Sequence, residues 1–413
     1  MTRYRPIKMR HVHKKSLLSC SGCFLVTFTV WIFIIKVIWK LPTANESLKI
    51  TQQSIEKEKF VEKMLLKKDI SVGLNALRKV SRDFSGDRKT QRTGIILWYQ
   101  PPNFQHIIDS EKSMDFSKCG FPNTCTHTTN SSFISSSDAV IFHGSVLPSV
   151  LPKRREDQFW IFYTLESPPS VYPVRNEWRK QFDWMMNYRR DSQIFLPYGK
   201  IFKEPKGNSE LVDTMKKKDK DHPVAWLVSN CHASNGRNEY VKEMKKFLPV
   251  DVFGRCGTPI VASFGNTSME AYKILSIKHK FYLSFENNHC TDYITEKLYN
   301  TYSRFVPLVP VVRGGASYSE ILPPGTFINT ADFKSPKDLA NHLKYLNEND
   351  DAYLKILQEK MKYHVNNMVE VYRQSLCKIC ERIQDQTEAV RTNRTDVSSW
   401  IHDNTCVTVK NIR

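Results

Sequence analysis

The feature that most constrains the fold is an alternation of strand-like and helix-like segments in the second half of the chain. Short apolar runs, "VAWLVSN", "VDVFG", "KFYLSFE" and "FVPLVPVV", alternate with the helical segments "GRNEYVKEMKKFL", "DYITEKLYNTYS" and "SPKDLANHLKYLNEND". In the last segment, Ser335 is a predicted N-cap and Pro336 takes the first helical position. Continuously apolar strands that alternate with helices indicate a parallel sheet covered on both faces. The sequence therefore predicts an α/β fold.

A second group of strands is predicted nearer the N-terminus. The runs "GIILWY", "AVIFHG" and "FWIFYTLE" follow Thr93, and the Lys-rich segment "LVDTMKKKDKDHP" separates them from the later alternation. We therefore predict two α/β domains with a cleft between them, over 93–221 and over 222–350. A helical, disulfide-linked extension is predicted over 351–413. Ligands of such sheets bind at the carboxyl ends of the strands.

The N-terminal region predicts a membrane anchor. Leu17 to Ile35 is a run of 19 residues without charge, and six Lys and Arg residues precede it with no acidic residue. The positive-inside rule predicts a cytosolic tail over 1–16, a transmembrane signal-anchor over 17–39, and a stem over 40–92 on the opposite side. A cleaved signal peptide is the alternative. It requires a shorter apolar core and a small-residue cleavage site, and "KVIWKLP" is not one.

Glycosylation sequons and cysteines agree with a lumenal location. The sequons lie at Asn45, Asn130, Asn266 and Asn393. Outside the apolar run the chain has eight cysteines, which in an oxidising lumen indicate disulfides. Cys377 and Cys380 form a CxxC pair that suits a metal or redox site as well, although no second CxxC completes a zinc site. We predict that Cys119 and Cys125 bridge to that pair and tie the first folded segment to the last.

The net charge of +19 is compatible with several partners. Nucleic acid and an acidic membrane surface are the usual partners of basic proteins. The positive charge is dispersed along the chain and no nucleic-acid recognition motif occurs, so we predict no nucleic-acid partner. A small anionic ligand fits the charge equally well.

The segment "FYLSFENNHCTDYITEKLYN", residues 281–300, places polar residues where a strand is followed by a helix. Asp292 is the predicted cap of this helix. Tyr293, Glu296 and Lys297 are spaced i, i+3 and i+4 and so share one helix face, while Ile294 and Leu298 share another that packs on the sheet. A tyrosine, a carboxylate and an ammonium together suit a sugar nucleotide. The alternative for Glu296 and Lys297 is an ordinary solvated ion pair.

The same segment resembles the signature of the α-1,3-fucosyltransferases, glycosyltransferase family 10. "TLESPPS" at 164–170, "YRRDSQIFLPYG" at 188–199 and "LVSN…GRNEY" at 227–240 also resemble family motifs, in the family's order, and the resemblance covers about residues 93–380. It implies a GT-B type fold of two Rossmann-like domains facing a cleft, with the acceptor-side domain over 93–221 and the GDP-fucose-binding domain over 222–350. It also implies a single-pass type II Golgi membrane protein. It further implies an inverting transferase that moves L-fucose from GDP-fucose to a GlcNAc hydroxyl of glycoprotein glycans in α-1,3 linkage.

The resemblance also implies roles for individual residues. Glu166 matches the family's general base, and its apolar flank "FWIFYTL" predicts a raised pKa. Arg237 and Lys297 match the contacts to the diphosphate and fucose. The other donor-binding matches are Tyr198, Ser229, Asn230, Tyr282, Asn287, Tyr293 and Glu296. The competing interpretations are a loop or cap carboxylate for Glu166, core packing for Tyr282, and turn formation for Tyr198 and Asn287.

The first remaining question about this chemistry is whether a divalent metal is needed. Asp219 and Asp221 have the Asp-x-Asp spacing of a metal site but lie in the Lys-rich segment, so we predict that no cofactor or divalent metal is required.

The acceptor is the second question. Cys231, Cys256 and Cys290 resemble the branch that fucosylates the innermost GlcNAc of N-glycans, and we predict a Cys231–Cys256 disulfide. The alternatives are an antennal, Lewis-type GlcNAc acceptor, or an inactive lumenal glycan-binding protein of the same fold. An inactive protein would be expected to lack Glu166, Arg237 or Lys297, and the chain has all three.

Overall fold

The structure is a computed structural model that describes residues 93–102, 107, 109, 114–120, 125–204, 218–260, 268–366, 368–385 and 394–407. The predicted tail, transmembrane segment and stem lie outside these residues, as do Asn45, Asn266 and Asn393. In the part of the chain that is described, no helix has the length and apolar character needed to cross a membrane. Gln91–Arg413 forms one compact unit.

The first sheet is parallel and has six strands. They are β1 (Gly94–Tyr99), β2 (Cys125–Thr128), β3 (Ala139–His143), β4 (Phe159–Tyr163), β5 (Trp184–Asn187) and β6 (Ile194–Phe195), in the spatial order β2-β1-β3-β4-β5-β6. Every strand pair is parallel. The three apolar runs of the sequence form β1, β3 and β4, so their prediction as strands is confirmed.

The second sheet is also parallel, and β10 lies at its centre. Its strands are β8 (Val224–Leu227), β9 (Val250–Phe253), β10 (Phe281–Phe285), β11 (Val309–Arg313) and β12 (Ile328–Asn329), in the order β12-β11-β10-β8-β9. All five residues of β10 are buried, and each large apolar side chain among them stabilises the fold by roughly 1.5–3 kcal/mol. A short antiparallel ribbon pairs β7 (Ile201–Lys203) with β13 (Tyr363–Val365). The predicted α/β class is confirmed.

Helices and aromatic segments cover both faces of each sheet. The described helices are α1 (Arg237–Met244), α2 (Ser268–Lys278), α3 (Glu296–Tyr299), α4 (Tyr318–Ile321), α5 (Pro336–Glu348), α6 (Asp350–Lys360), α7 (Met368–Gln384) and α8 (Val397–His402). The second sheet packs against α1, α5 and α6 on one face and α2 on the other. Ser335 caps α5 by accepting from the Asp338 N–H, as predicted.

The predicted helix over 292–303 is wrong in its start and its length. The α-helix begins at Glu296 with Thr295 as N-cap, and after Tyr299 it continues only as a 3-10 turn. Asp292 has a φ of 57° and therefore lies in the left-handed region, outside the helix. The cause is tertiary: Asp292 accepts two hydrogen bonds from Arg190, both at 3.0 Å.

The C-terminal residues, predicted as a helical, disulfide-linked extension over 351–413, are divided between the two sheets. Helix α6 packs in the core of the second sheet. Helix α7 returns to one face of the first sheet, and α8 packs on the other face. The chain therefore crosses back after α6, and its last helices stabilise the half in which the folded part begins.

Four disulfides are present in the described residues. Cys119–Cys377 and Cys125–Cys380 tie the first sheet to α7, and Cys231–Cys256 joins the loops that follow β8 and β9. These pairings confirm the three predicted bridges and exclude the metal or redox interpretation of the CxxC pair. The sequence did not assign a fourth bridge, Cys290–Cys406.

Candidate active site

The candidate site lies at the carboxyl ends of β4 and β10. Glu166 follows β4 by three residues, and the loop from Glu286 to Thr295 follows β10 directly. In parallel sheets these strand ends are where polar side chains and helix starts converge. Each half of the protein therefore contributes one loop to the site.

The loop that carries Glu166 is held in contact with the second half. Tyr198 donates from its hydroxyl to the Leu165 carbonyl at 2.5 Å. The Asn288 side-chain amide donates to the Ser167 hydroxyl at 2.8 Å, which links the loop after β4 to the loop after β10. Glu166 itself stays exposed to solvent at its tip. The backbone on both sides of this carboxylate is thus fixed, while the carboxylate is accessible.

Glu166 interacts electrostatically with two residues of α3. Burial raises the pKa of its carboxyl group, the negative charge of Glu296 raises this pKa further, and the positive charge of Lys297 opposes both effects. The net pKa of Glu166 lies above the ordinary glutamate value. A carboxylate with a raised pKa is suited to accept a proton near neutral pH.

Lys297 lies at the start of α3 within a cluster of oxygen atoms. Its Nζ donates to Thr295 Oγ1 at 2.9 Å, to Glu296 Oε1 at 3.3 Å and to Glu286 Oε2 at 3.4 Å. Burial acts to lower the pKa of Lys297, but the charges of Glu286 and Glu296 outweigh it and the net pKa is raised. Lys297 is therefore a fixed cation at neutral pH.

Glu286 is the buried partner of that cation, and sequence reasoning assigned it no role. Its side chain is 1 % exposed, and it accepts hydrogen bonds from the Thr295 N–H at 2.8 Å and from the Thr295 hydroxyl. A buried carboxylate needs such partners because burial of an unpaired charge is costly. Glu286 thereby fixes the start of α3 and the position of Lys297. In the sequence, the position of Glu286 at the end of an apolar strand was the feature that could have indicated this role.

Arg237 is buried below the loops that follow β8 and β10. Its Nη1 donates to the Phe285 carbonyl at 2.9 Å and to Asn287 Oδ1 at 2.6 Å, and its Nη2 donates to the Asn230 carbonyl at 2.8 Å. Its Nε has no hydrogen-bond partner among the described residues. Arg237 is 1 % exposed, so in this structure it organises Asn230 and Asn287 and contributes its charge from below.

Arg313 is a further cation that sequence reasoning missed. It is the last residue of β11, is 5 % exposed, and donates to the Asn235 carbonyl at 3.2 Å. Burial lowers the pKa of His289 to about 4, and the charge of Arg313 contributes to this shift, so His289 is neutral. The signal in the sequence was an arginine that ends the apolar run "FVPLVPVV" at the same sheet edge.

The three cations lie within one another's electrostatic field. The charge of Arg313 acts on Arg237, and that of Arg237 acts on Lys297, each disfavouring protonation of its neighbour. The buried carboxylate of Glu286 offsets part of this repulsion, since its charge acts to raise the pKa of both Arg237 and Lys297. The remaining excess of positive charge attracts an anion. This edge of the second sheet is therefore suited to bind a polyanionic group such as a diphosphate.

Two family models match the chain. "Fucosyltransferase, N-terminal" matches residues 90–199, and "Glycosyltransferase family 10 (fucosyltransferase) C-term" matches residues 216–400. The human "4-galactosyl-N-acetylglucosaminide 3-alpha-L-fucosyltransferase FUT6" is 33 % identical over 319 residues, which cover 74 % of this chain and 82 % of the relative. The chain belongs to glycosyltransferase family 10, the fucosyltransferases.

Other relatives are similar over comparable lengths. The "Glycoprotein 3-alpha-L-fucosyltransferase A" of Drosophila melanogaster is 30 % identical over 334 residues, which cover 79 % of this chain and 64 % of the fly protein's length. A solved structure described as "Crystal Structure of alpha1,3-Fucosyltransferase with GDP-fucose" is 17 % identical, with a TM-score of 0.47 over 75 % of this chain and 94 % of that chain.

The fold of this fucosyltransferase-family chain brings most of the predicted site residues to one region. Ser229 and Asn230 are exposed at the carboxyl end of β8. Arg255 Nε donates a hydrogen bond to the Ser229 carbonyl at 2.7 Å. Tyr293 is 3 % exposed and packs with its ring centroid 6.3 Å from that of Tyr198. Tyr293 precedes α3, so it does not share a helix face with Glu296 and Lys297 as predicted.

Tyr282 is the predicted donor contact that the structure contradicts. Its side chain is fully buried, and its hydroxyl donates to the Tyr272 hydroxyl at 2.9 Å in the core between β10 and α2. Tyr282 is therefore a core residue. The reason is strand alternation: Tyr282 faces away from the side of the sheet on which Phe281, Leu283 and Phe285 pack.

The Asp-x-Asp segment of this family member lies away from the site. Asp219 accepts from the backbone N–H groups of Asp221 and His222, in the turn that precedes β8. This turn is at the amino end of the strand, whereas the candidate site is at the carboxyl ends. Within the described ranges, no cluster of three His, Cys, Asp or Glu side chains suits a metal ion.

Proposed function

We propose that this protein is an inverting GT-B-type enzyme that transfers L-fucose from GDP-fucose to a GlcNAc hydroxyl in α-1,3 linkage. The observation that carries the proposal is the electrostatic coupling of Glu166, from the first half, to Glu296 and Lys297, from the second. A base and a cation that face each other across a cleft match a displacement with an incoming alcohol on one side and a departing diphosphate on the other. Membership of family 10 supports the same reaction.

In the proposed reaction Glu166 acts as the general base. The acceptor oxygen forms a bond to the anomeric carbon of fucose while the bond from that carbon to the phosphate oxygen breaks. The hydroxyl proton passes to the Glu166 carboxylate, and the bonding electron pair leaves with GDP. Attack from the face opposite GDP inverts the anomeric configuration and requires only this one base.

The protein's own cations neutralise the departing GDP. Three positive charges lie at the edge where the nucleotide diphosphate is expected, those of Lys297, Arg237 and Arg313. The rest of the proposed donor site is lined by Ser229, Asn230, Asn287, Tyr198, Tyr293 and Glu296. Fixed positive charge at developing negative charge lowers the barrier without a metal ion. We therefore propose that neither a cofactor nor a divalent metal is essential.

For the acceptor we propose the innermost GlcNAc of N-glycans, and an antennal GlcNAc is the alternative. The chain's cysteines at 231, 256 and 290 support the first acceptor, since they resemble the branch of the family with that activity. The name of the human relative, a 4-galactosyl-N-acetylglucosaminide 3-alpha-L-fucosyltransferase, favours the second. The third candidate, an inactive glycan-binding protein, is disfavoured by the presence of Glu166, Lys297 and Arg237.

The location proposed for this reaction is the Golgi lumen, with the chain anchored as a type II membrane protein. The support lies in the charge-free run over 17–35 and the basic residues before it. Asn130 is exposed at the start of a 3-10 turn, where its side chain is accessible for glycosylation. The four disulfides agree with an oxidising compartment.

The test is a transfer assay with the full-length chain purified in detergent. GDP-fucose is supplied with either a core-bearing N-glycopeptide or N-acetyllactosamine, with and without EDTA. We expect fucose transfer to the glycopeptide and equal rates in EDTA. Preference for N-acetyllactosamine would select the antennal alternative, inhibition by EDTA would contradict the metal-free proposal, and transfer to neither acceptor would contradict the proposed function.

The raised pKa of Glu166 predicts the acidic limb of the pH–rate profile. The base works only when ionised, so kcat/KM should fall on acidification at a pH above the ordinary glutamate value. Glu296→Gln removes a negative neighbour, lowers the pKa of Glu166 and should move this limb to lower pH. Lys297→Met removes a positive neighbour and should move it to higher pH. The measurement is kcat/KM against pH for each variant, normalised to its maximum. Shifts of the acidic limb in the opposite directions would contradict its assignment to Glu166.

The Cys290–Cys406 disulfide connects the loop after β10 with the C-terminal segment. Beside it, the Thr291 N–H donates to the Thr405 carbonyl at 2.8 Å. The same segment begins with α8, which packs on the first sheet. The loop that carries the donor residues is therefore held from both halves of the protein.

Replacing Cys290 and Cys406 with serine should raise the KM for GDP-fucose several-fold, because the loop is released. It should also lower the free energy of unfolding by about 2–4 kcal/mol. The matched control is Cys119→Ser/Cys377→Ser, a bridge outside the site, which should lower stability without changing the KM. The KM for GDP-fucose is measured for each variant at a temperature below its melting temperature. An equal change in KM after removal of either disulfide would refute a local role of the Cys290–Cys406 bridge.

A further inference from the structure

A cavity of about 570 Å³ adjoins the candidate site. The cavity shares the lining residues Leu165, Tyr198 and Glu296 with the site region, and it is also lined by Phe305 and Asn366. Its size falls in the range of small-molecule binding sites. A molecule in this cavity would lie beside the residue that precedes Glu166, and thus next to the proposed base.

One wall of the cavity comes from α3 and the residues that follow it. Glu296 and Tyr299 line the cavity from the helix, Asn300 from the 3-10 turn and Ser303 from the residue after that turn. Lys297 does not line the cavity, and its Nζ donates to Glu296 at 3.3 Å and to the buried Glu286 at 3.4 Å. Glu296 therefore lies between this cavity and the cationic edge, which suits the diphosphate.

Phe305 is a large apolar side chain that the fold keeps exposed. Its ring is 70 % exposed, whereas the next residue, Val306, is fully buried. The buried ammonium groups of Lys360 and Lys218 hold the backbone on that side, donating to the Val306 carbonyl at 2.5 Å and to the Pro307 carbonyl at 2.8 Å. The backbone that presents the ring is therefore rigid.

The residue before Phe305 is fixed as well. The Arg304 guanidinium forms an ion pair with Glu204, whose Oε1 also lies 3.4 Å from His364 Nδ1. The positive charge of Arg304 is thus neutralised within the protein. The carboxylate of Glu296, which also lines the cavity, is paired with Lys297. An aromatic ring on a rigid backbone, beside side-chain amides and with both of these lining charges paired within the protein, suits a neutral ligand.

We infer that this cavity is the subsite for the acceptor sugar next to the GlcNAc that receives fucose, a neutral pyranose. The inference rests on the proposed function. The Lys273 ammonium lies over the Phe305 ring, 5.6 Å from its centroid, so the apolar C–H face of the pyranose stacks on the opposite face of that ring. The side-chain amide of Asn366 and the hydroxyl of Ser303 bind sugar hydroxyls. The receiving GlcNAc then lies between this subsite and Glu166. Phe305 is accordingly a specificity-determining residue that takes no part in the bond-forming step.

The test is Phe305→Ala in the full-length chain, assayed with a GlcNAc-terminated glycopeptide as acceptor. We expect the KM for the glycopeptide to rise roughly five- to tenfold. The KM for GDP-fucose and the slow hydrolysis of GDP-fucose in the absence of acceptor should stay within twofold of the wild-type values. Phe305→Trp, which keeps an aromatic ring, should restore the acceptor KM. Phe247→Ala is the matched control, since Phe247 is another exposed phenylalanine of the second half and lies outside the cavity.

Each outcome decides one question. An unchanged acceptor KM in Phe305→Ala, or an equal rise in Phe247→Ala, overturns the subsite while the proposed function stands. A rise in the KM for GDP-fucose that matches the rise for the acceptor also overturns it, because the cavity would then act on the donor. Failure of the wild-type chain to transfer fucose to any acceptor refutes the proposed function, and the subsite with it.

Discussion

Glu166→Gln is expected to lower kcat for fucose transfer by roughly 10²- to 10⁴-fold. The amide has nearly the size of the carboxylate but cannot accept the proton of the acceptor hydroxyl. The loop that carries it is fixed by Tyr198 at the Leu165 carbonyl and by Asn288 at the Ser167 hydroxyl, contacts that the substitution leaves intact. Steady-state transfer rates with saturating GDP-fucose and acceptor measure the effect.

The matched control for this substitution is Glu177→Gln. Glu177 is a carboxylate of the same half, exposed at the surface and paired with the equally exposed Arg175. Its removal should leave kcat unchanged, because exposed ion pairs contribute little. Transfer by Glu166→Gln at the wild-type rate would show that another group removes the proton.

Lys297→Met is expected to lower kcat/KM for GDP-fucose by roughly 10²- to 10³-fold. The substitution removes the cation nearest to Glu166 and leaves Glu286 buried without its charged partner, at 1 % exposure. Loss of one partner of a buried pair costs about 3–5 kcal/mol of stability. The variant should therefore be both less active and less stable than the wild-type chain.

The double variant Lys297→Met/Glu286→Gln separates these two effects. Removal of both charges should recover much of the lost stability but none of the activity, because the departing diphosphate still lacks its cation. Thermal unfolding and kcat/KM are measured on the same preparations. Lys246→Met, which breaks an exposed pair with Glu243, is the control and should change neither quantity. Recovery of activity in the double variant would mean that Lys297 acts only through folding.

Much of the fold follows from apolar runs of strand length. Runs such as those of β1, β4 and β10 are buried on both faces, so their composition alone indicates central parallel strands. Ser335 and Pro336 marked the start of α5 because capping is local chemistry. Features set by a few neighbouring residues were therefore predictable.

The features that were missed depend on contacts distant in sequence. Asp292 was predicted as a cap, but Arg190, 102 residues earlier, holds it outside the helix. Arg313 became recognisable as part of the site only when β11 was placed beside β10. The Cys290–Cys406 pairing likewise depends on the return of the chain to the first sheet after α6. No local pattern records such contacts.

In this account Glu166 removes the acceptor proton and Lys297 binds the diphosphate. Isothermal titration calorimetry of GDP-fucose binding to Glu166→Gln and to Lys297→Met tests this division of roles most directly. The account predicts that Glu166→Gln binds GDP-fucose with the wild-type Kd although it does not transfer fucose, and that Lys297→Met binds at least tenfold more weakly. Weakened binding by Glu166→Gln to the same degree as by Lys297→Met, or wild-type binding by Lys297→Met, would contradict it.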